Sequence, residues 1–369
     1  MKLIQTFFFS LLIFSTSIVA NASTASSFTG NKMQDNPFNL TTEEQLSANK
    51  ASEIEAFWND NIVISSFQGV DNKRVNTFSL ITGNDNVIVI SSGRTESALK
   101  YKELIFDLNQ QGYDIFLIDH RGQGISERLG GDQSRGYVEN FNDYVIDFNQ
   151  FVTQLDLEKN YKHRYLISHS MGGAIAALYL EQYPHPFQAT VFNSPMLEIN
   201  LMGLPTKLVK FIVDLIDTVC NWFFDLPCYA PTQGAFADKH FKDNELTSSK
   251  VRFHFTHKTF IEHPESQLGG PTAHWISTSI DGAQKAIDNA ANIHIPVFLM
   301  QATMDSVVNP QGQNAFYNNL NNCNANQFIK IEGAEHETFI EQDKYRLPAL
   351  TQLLYFLKKQ QEGELTCTK

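Results

Sequence analysis

Ser170 sits in Ser168-His169-Ser170-Met171-Gly172-Gly173, a stretch whose residue types and spacing suit acyl transfer. It closes a short apolar strand, Tyr165-Leu166-Ile167, and opens an apolar run, Ala174 to Leu180, that reads as a helix. A serine on a sharp strand-to-helix turn needs small neighbours because the turn is strained, and the usual pattern is G-x-S-x-G. Ser168 stands here in place of the first Gly. On such a turn the hydroxyl rises above the sheet, and the N–H of Met171, at the helix start, faces an oxyanion forming on an attacked carbonyl. S-x-G also occurs in ordinary loops; the strand before it and the helix after it carry the reading.

A serine hydroxyl is a poor nucleophile at neutral pH and needs an imidazole to take its proton. The apolar strand Pro296 to Gln301 runs into a loop that holds Asp305. A later strand, Gln327 to Ile331, leads to Glu332-Gly333-Ala334-Glu335-His336-Glu337, and no other histidine follows Asp305. A lone histidine is ordinarily a surface or capping residue, but its place in a Gly-containing loop after a strand favours the base. Glu332 and Glu335 are too near His336 in sequence to orient it easily, which leaves Asp305. The order Ser, Asp, His is that of α/β-hydrolases.

These residues need a rigid frame, and the chain alternates in a way that supplies one. Strands are expected near 61–67, 76–81, 86–91, 113–118, 163–168, 188–193, 296–301 and 327–331. Helical runs fall near 97–110, 143–157, 171–184, 310–320 and 344–360. Asn86-Val87-Ile88-Val89-Ile90 is almost continuously apolar, as befits a parallel strand covered on both faces. The expected fold class is α/β: an α/β-hydrolase fold, with a mostly parallel sheet, helices on both faces and an inserted helical cap. The divisions read as a signal peptide (1–22), an amino-terminal extension with a helix (23–60), core (61–195), cap (196–285), then core and tail (286–369). With 369 residues and 42% apolar content, one large core can be buried.

Several motifs resemble the bacterial lysophospholipase branch of the monoglyceride-lipase-like α/β-hydrolases. They are Gly93-Arg94-Thr95-Glu96-Ser97, Asp119-His120-Arg121-Gly122-Gln123-Gly124, Asn140-Phe141-Asn142-Asp143-Tyr144-Val145, His169 to Gly173, and Gly269-Gly270-Pro271-Thr272-Ala273-His274-Trp275. In order, with the region around His336, they span most of the chain from near Phe57 to near Phe356. The first and last named are specific to that branch. The resemblance implies Ser170 as nucleophile, Asp305 as orienting acid and His336 as base, with the backbone N–H of Arg94 joining that of Met171 in the oxyanion hole. It implies hydrolysis of a lysophospholipid ester without metal or organic cofactor. One departure is Ser92-Gly93, where the wider family has His-Gly. A monoacylglycerol lipase or general carboxylesterase would use the same triad, as would a peptidase of the superfamily. A silent lipid-binding protein on the same scaffold lies outside the class.

The amino terminus reads as an export signal: Met1-Lys2, an apolar stretch to Ala20, and an A-x-A site at Ala20-Asn21-Ala22. Lys2 is the only charge removed, so the net charge goes from −12 to −13. That balance argues against nucleic acid and against purely electrostatic attachment to anionic membrane. Four cysteines in an exported chain, Cys220, Cys228, Cys323 and Cys367, suggest disulfides, with three pairings possible. The protein is expected to be periplasmic or secreted.

The early cap is rich in apolar residues, among them Leu208, Phe211 and Ile212, with Lys207, Lys210 and Asp214 expected on the exposed side. It reads as a lid that binds an acyl chain and can touch a membrane interface, against the plainer reading of packing onto the core. His274-Trp275 either lines the pocket or packs in the core. His254-x-x-His257 with His263 only loosely resembles a metal cluster, and His336-Glu337 does not complete H-E-x-x-H because Ile340 closes it.

Overall fold

The computed structural model describes residues 26–28 and 36–367. The expected signal peptide, residues 1–22, lies outside the described residues. The strands are β1 (Ser26–Phe28), β2 (Ile62–Gln68), β3 (Arg74–Leu80), β4 (Asn86–Ser91), β5 (Tyr113–Asp119), β6 (His163–His169), β7 (Ala189–Asn193), β8 (Val297–Ala302) and β9 (Gln327–Ile331). They form one sheet in the order β1-β9-β8-β7-β6-β4-β5-β3-β2. Only β2–β3 and β3–β5 pair antiparallel. The remaining pairings, from β5 through β4, β6, β7, β8 and β9 to β1, are parallel.

The helices are α1 (Glu43–Gln45), α2 (Ala51–Asn61), α3 (Lys102–Gln110), α4 (Phe141–Gln154), α5 (Leu157–Asn160), α6 (Met171–Gln182), α7 (Thr206–Phe223), α8 (Lys250–Glu262), α9 (Ala273–Asn289), α10 (Pro310–Asn319) and α11 (Asp343–Gln361). Alternation along each strand divides the core into two layers. Val87 and Val89 of β4 face a layer with Phe148, Ile175 and Phe316, from α4, α6 and α10. Ile88 and Ile90 face the other, with Leu104, Leu353 and Leu357, from α3 and α11. Burial on both faces explains why β4 reads as an unbroken apolar run.

In the amino-terminal extension, α1 opens with a capping box. Thr42 caps α1 reciprocally with Gln45, while the N–H and hydroxyl of Thr41 are taken by buried Asp107. Cys220 is bonded to Cys228, and Cys323 to Cys367, so the second bridge ties the tail to the loop before β9.

Between β7 and β8 lie α7, α8 and α9. Residue 285, the expected end of the insertion, falls inside α9, which packs on α4, α6 and α10. The orientation of α7 differs in part from expectation: Lys207 and Asp214 are exposed as expected, Lys210 is half-buried, and the fully buried residues are Val213 and Cys220. Lys210 and Asp214 face α9: Lys210 Nζ meets Ser277 Oγ at 2.7 Å and Asp281 at 3.0 Å, Asp214 accepts from Ser277, and Asp217 meets His274 at 2.8 Å. Leu208, Phe211, Ile212, Leu215, Val219, Trp222 and Phe223 are exposed instead. Their spacing, three and four residues apart, makes one continuous apolar face. Val213 and Cys220 are buried beside this polar pairing with α9, and the wider apolar face is left outward.

Candidate active site

The turn from β6 to α6 holds Ser170 at φ 50° and ψ −121°, outside the regions a side chain prefers. Close approach explains its small neighbours. A Cβ on Gly172 would stand 2.2 Å from the Ser91 carbonyl oxygen, and one on Gly173 would stand 2.5 Å from Pro195 Cβ. Ser168 replaces glycine without leaving a polar atom idle, since its buried hydroxyl donates to the Val191 carbonyl at 3.2 Å.

Ser170, His336 and Asp305 meet across the carboxyl ends of three parallel strands. His336 Nε2 is 2.9 Å from Ser170 Oγ, and its Nδ1 is 2.6 Å from Asp305 Oδ2. Asp305 Oδ1 accepts the N–H groups of Val307 and Val308 at 2.8 and 3.0 Å. Burial alone would raise the Asp305 pKa, but the His336 interaction and these two donors outweigh it and hold the carboxyl below its ordinary value. With Asp305 as anion, Nδ1 carries the proton and Nε2 is free to accept one from Ser170.

Arg94 and Met171 are the two expected backbone donors of the oxyanion hole. Neither the Arg94 nor the Met171 N–H donates to another group among the described residues. The loop carrying Arg94 is built by motifs whose roles are not apparent in the sequence. Gln123 Nε2 donates to the carbonyls of Gly93 (2.6 Å) and Glu96 (3.2 Å). Asp119 accepts from Ser97 Oγ and Ala98 N–H, both at 2.7 Å. At the expected departure, the Ser92 hydroxyl donates to the Ile118 carbonyl at 3.2 Å.

Beneath that loop lies a buried charge cluster. Glu96 accepts Gly93 N–H (2.5 Å), Tyr101 Oη–H (2.5 Å) and Lys100 Nζ–H (2.9 Å), and stands 3.3 Å from His169 Nδ1. Lys100 also donates to Glu337, and His169 Nε2 is 3.3 Å from the His336 carbonyl. Burial raises the Glu96 pKa, yet Lys100 and His169 prevail and hold it well below the carboxylate range. For His169 burial opposes the imidazolium, but Glu96 prevails and the pKa is raised. One cluster therefore joins the loop that carries Arg94, the residue before Ser170 and the residue after His336.

The substrate-binding candidates are dispersed. Leu208, Phe211 and Ile212 lie on the outer face of α7. Trp275 is buried in the core, where its Nε1–H donates to Tyr144 Oη at 3.1 Å and its ring lies against the Arg94 guanidinium. His257 pairs with Asp238 and His263 with Glu265.

The family model described as "Serine aminopeptidase, S33" matches residues 82–343. The chain belongs to this family. Within it, the chain is 32% identical over 328 residues to lysophospholipase L2 of Escherichia coli, covering 86% of this chain and 94% of that protein. It is 30% identical over 283 residues to the monoacylglycerol lipase of Mycolicibacterium smegmatis, covering 76% and 91%. The fold matches a soluble variant of monoglyceride lipase from Saccharomyces cerevisiae, solved with a substrate analog, at a TM-score of 0.61 and 18% identity, over 81% of this chain and 96% of that one. The family places the chain among serine ester hydrolases of the lysophospholipase and monoglyceride-lipase type.

Proposed function

We propose that this protein is an exported lysophospholipase that cleaves the carboxylic ester of a lysophospholipid through an acyl-enzyme on Ser170. The continuous hydrogen-bonded chain Ser170–His336–Asp305, beside two free backbone N–H groups, is the observation that carries the proposal. His336 takes the Ser170 proton as Oγ adds to the ester carbonyl. The N–H groups of Arg94 and Met171 receive the negative charge that appears on the carbonyl oxygen. Losing one such donor costs roughly 10²–10³ in rate. His336 then protonates the departing glycerophospho alcohol, activates water against the acyl-enzyme, and the fatty acid leaves. These groups perform the whole cycle without a metal or organic cofactor.

The outward apolar face of α7 favours a second element, docking on a lipid surface. Its occupant is taken to be a bilayer or micelle, because the named relatives act on lipids. A surface-seated amphipathic helix presents such a face, with aromatic residues at the interface, as Phe211, Trp222 and Phe223 do here. No described helix is long and apolar enough to cross a membrane. Export rests on the sequence pattern of residues 1–22 and accords with the two disulfides.

The test is fatty-acid release from lysophosphatidylcholine and from monoacylglycerol by the purified mature protein and its Ser170→Ala variant. Strong release from the lysophospholipid, lost in the variant, is expected. Preference for the neutral ester moves the protein to monoacylglycerol lipase. Folded protein that releases neither acid refutes the hydrolase reading for these substrates.

A further inference from the structure

Arg94 is half-buried and, unlike the fully buried arginines, has no carboxylate partner among the described residues; Arg128 and Arg164 also lack one, but their guanidinium N–H groups, Nε included, donate to backbone carbonyls. Arg121 is paired with Asp147 and Asp143, Arg252 with Glu103 and Asp343, and Arg346 with Asp107 and Glu103. Among the described residues, no carboxylate lies within ion-pair distance of Arg94. The chain has 40 acidic and 28 basic residues, so a shortage of carboxylates is not the reason. A desolvated guanidinium N–H left without an acceptor, as Arg94 Nε is, is costly and favours an anionic ligand.

The guanidinium is nevertheless firmly held. Its Cζ lies 5.0 Å from the Trp275 ring centroid. On another side it meets Gly136, where a Cβ would stand 2.2 Å from Nη2. Nη2 donates to the Gly269 carbonyl at 2.7 Å, while Nε is buried and donates to nothing. Burial lowers the pKa to about 10, against the smaller opposing effect of Tyr144, so the group stays charged at neutral pH. Two stretches distant in sequence thus converge here: Gly93 to Ser97 supplies the arginine, and Gly269 to Trp275 supplies its carbonyl anchor and aromatic face.

We propose that the Arg94 side chain binds the phosphodiester of the substrate and thereby selects lysophospholipids over monoacylglycerols. The inference rests on the lysophospholipid reading above and deepens it. A guanidinium fork matches phosphate oxygens in geometry and charge. Reach agrees with that role. In a lysophospholipid, phosphorus is as many bonds from the ester carbonyl carbon as the Arg94 Cζ is from its own backbone nitrogen. One residue can therefore meet the oxyanion with its N–H and the phosphodiester with its side chain.

The experiment compares kcat/KM for lysophosphatidylcholine and for monoacylglycerol of the same acyl chain, in wild type, Arg94→Met and Arg94→Lys. Both esters use the same oxyanion donors, so the ratio of the two constants cancels any disturbance of the Arg94 backbone. Arg94→Met should lower that ratio roughly 10- to 100-fold, chiefly through KM, and Arg94→Lys by less, since charge remains but the fork is lost. In wild type, glycerophosphocholine should compete with monoacylglycerol and inorganic phosphate should compete less well, because only the former carries the glycerol linkage. An unchanged ratio in Arg94→Met, or no competition by glycerophosphocholine, overturns the inference alone. Wild-type protein that cleaves monoacylglycerol and ignores the lysophospholipid overturns the lysophospholipid reading, and this inference with it.

Discussion

Glu96→Gln probes how the oxyanion loop is held. The Glu96 carboxylate faces donors on both oxygens: Lys100 at Oε1, and Gly93 N–H and Tyr101 at Oε2. An amide offers one acceptor oxygen and one NH₂, so whichever way it turns, donors oppose donors on one side. Lys100 then keeps only Glu337. Removing one partner of a buried ion pair costs about 3–5 kcal/mol, which should appear as a lower melting temperature. Release of Gly93 also frees the next residue, Arg94, the proposed second oxyanion donor. Loss of that donor predicts a fall in kcat of roughly 10²–10³ with little change in KM. A short-chain p-nitrophenyl ester separates the two constants without an interface. A lower melting temperature with kcat within about twofold of wild type would refute the reasoning, leaving the cluster a purely structural device.

Other outcomes follow from the same structure. His169 has a raised pKa when folded, so its contribution to stability is full below the unfolded imidazole value and lost as pH rises through the folded value. His169→Gln should remove that step from a melting-temperature profile over pH. Glu181 is half-buried, with both carboxylate oxygens unpartnered, and burial raises its pKa to about 8. Its stability contribution is full below the ordinary carboxyl value and lost as pH rises through about 8, so Glu181→Gln should stabilise at pH 9 and not at pH 4 in urea titrations. The Cys323–Cys367 bridge spans 44 residues and Cys220–Cys228 spans 8. Chain entropy then gives losses of about 4 and about 2.6 kcal/mol for their respective Ser,Ser variants, measurable by urea unfolding. Phe211→Asp with Leu215→Asp should weaken co-sedimentation with phosphatidylglycerol vesicles while sparing turnover of a soluble ester; unchanged sedimentation would exclude α7 as the docking face.

The frame was legible because period and burial agree along the chain. β4 and β6 are apolar runs buried on both faces, and both fall within a residue of where the pattern predicts them. Ser170, Asp305 and His336 were readable because each follows a recognisable strand. The Glu96 cluster was not, since Glu96, His169 and Glu337 are far apart in sequence and each alone looks like an ordinary polar residue. The rotation of α7 was hidden for another reason. Its wide apolar stripe predicts a buried face, whereas the face turned inward is a mixed one, with Val213 and Cys220 buried beside the paired Lys210, Asp214 and Asp217.

The most direct test of the central claim is to capture the acyl-enzyme. Wild-type protein mixed with lysophosphatidylcholine carrying an isotopically labelled acyl chain would be acid-quenched within the first turnover and mapped by peptide mass spectrometry. The labelled acyl mass is expected on the peptide containing Ser170, decaying as free fatty acid appears, and absent from Ser170→Ala. Label on another residue, or turnover retained by Ser170→Ala, would contradict that claim.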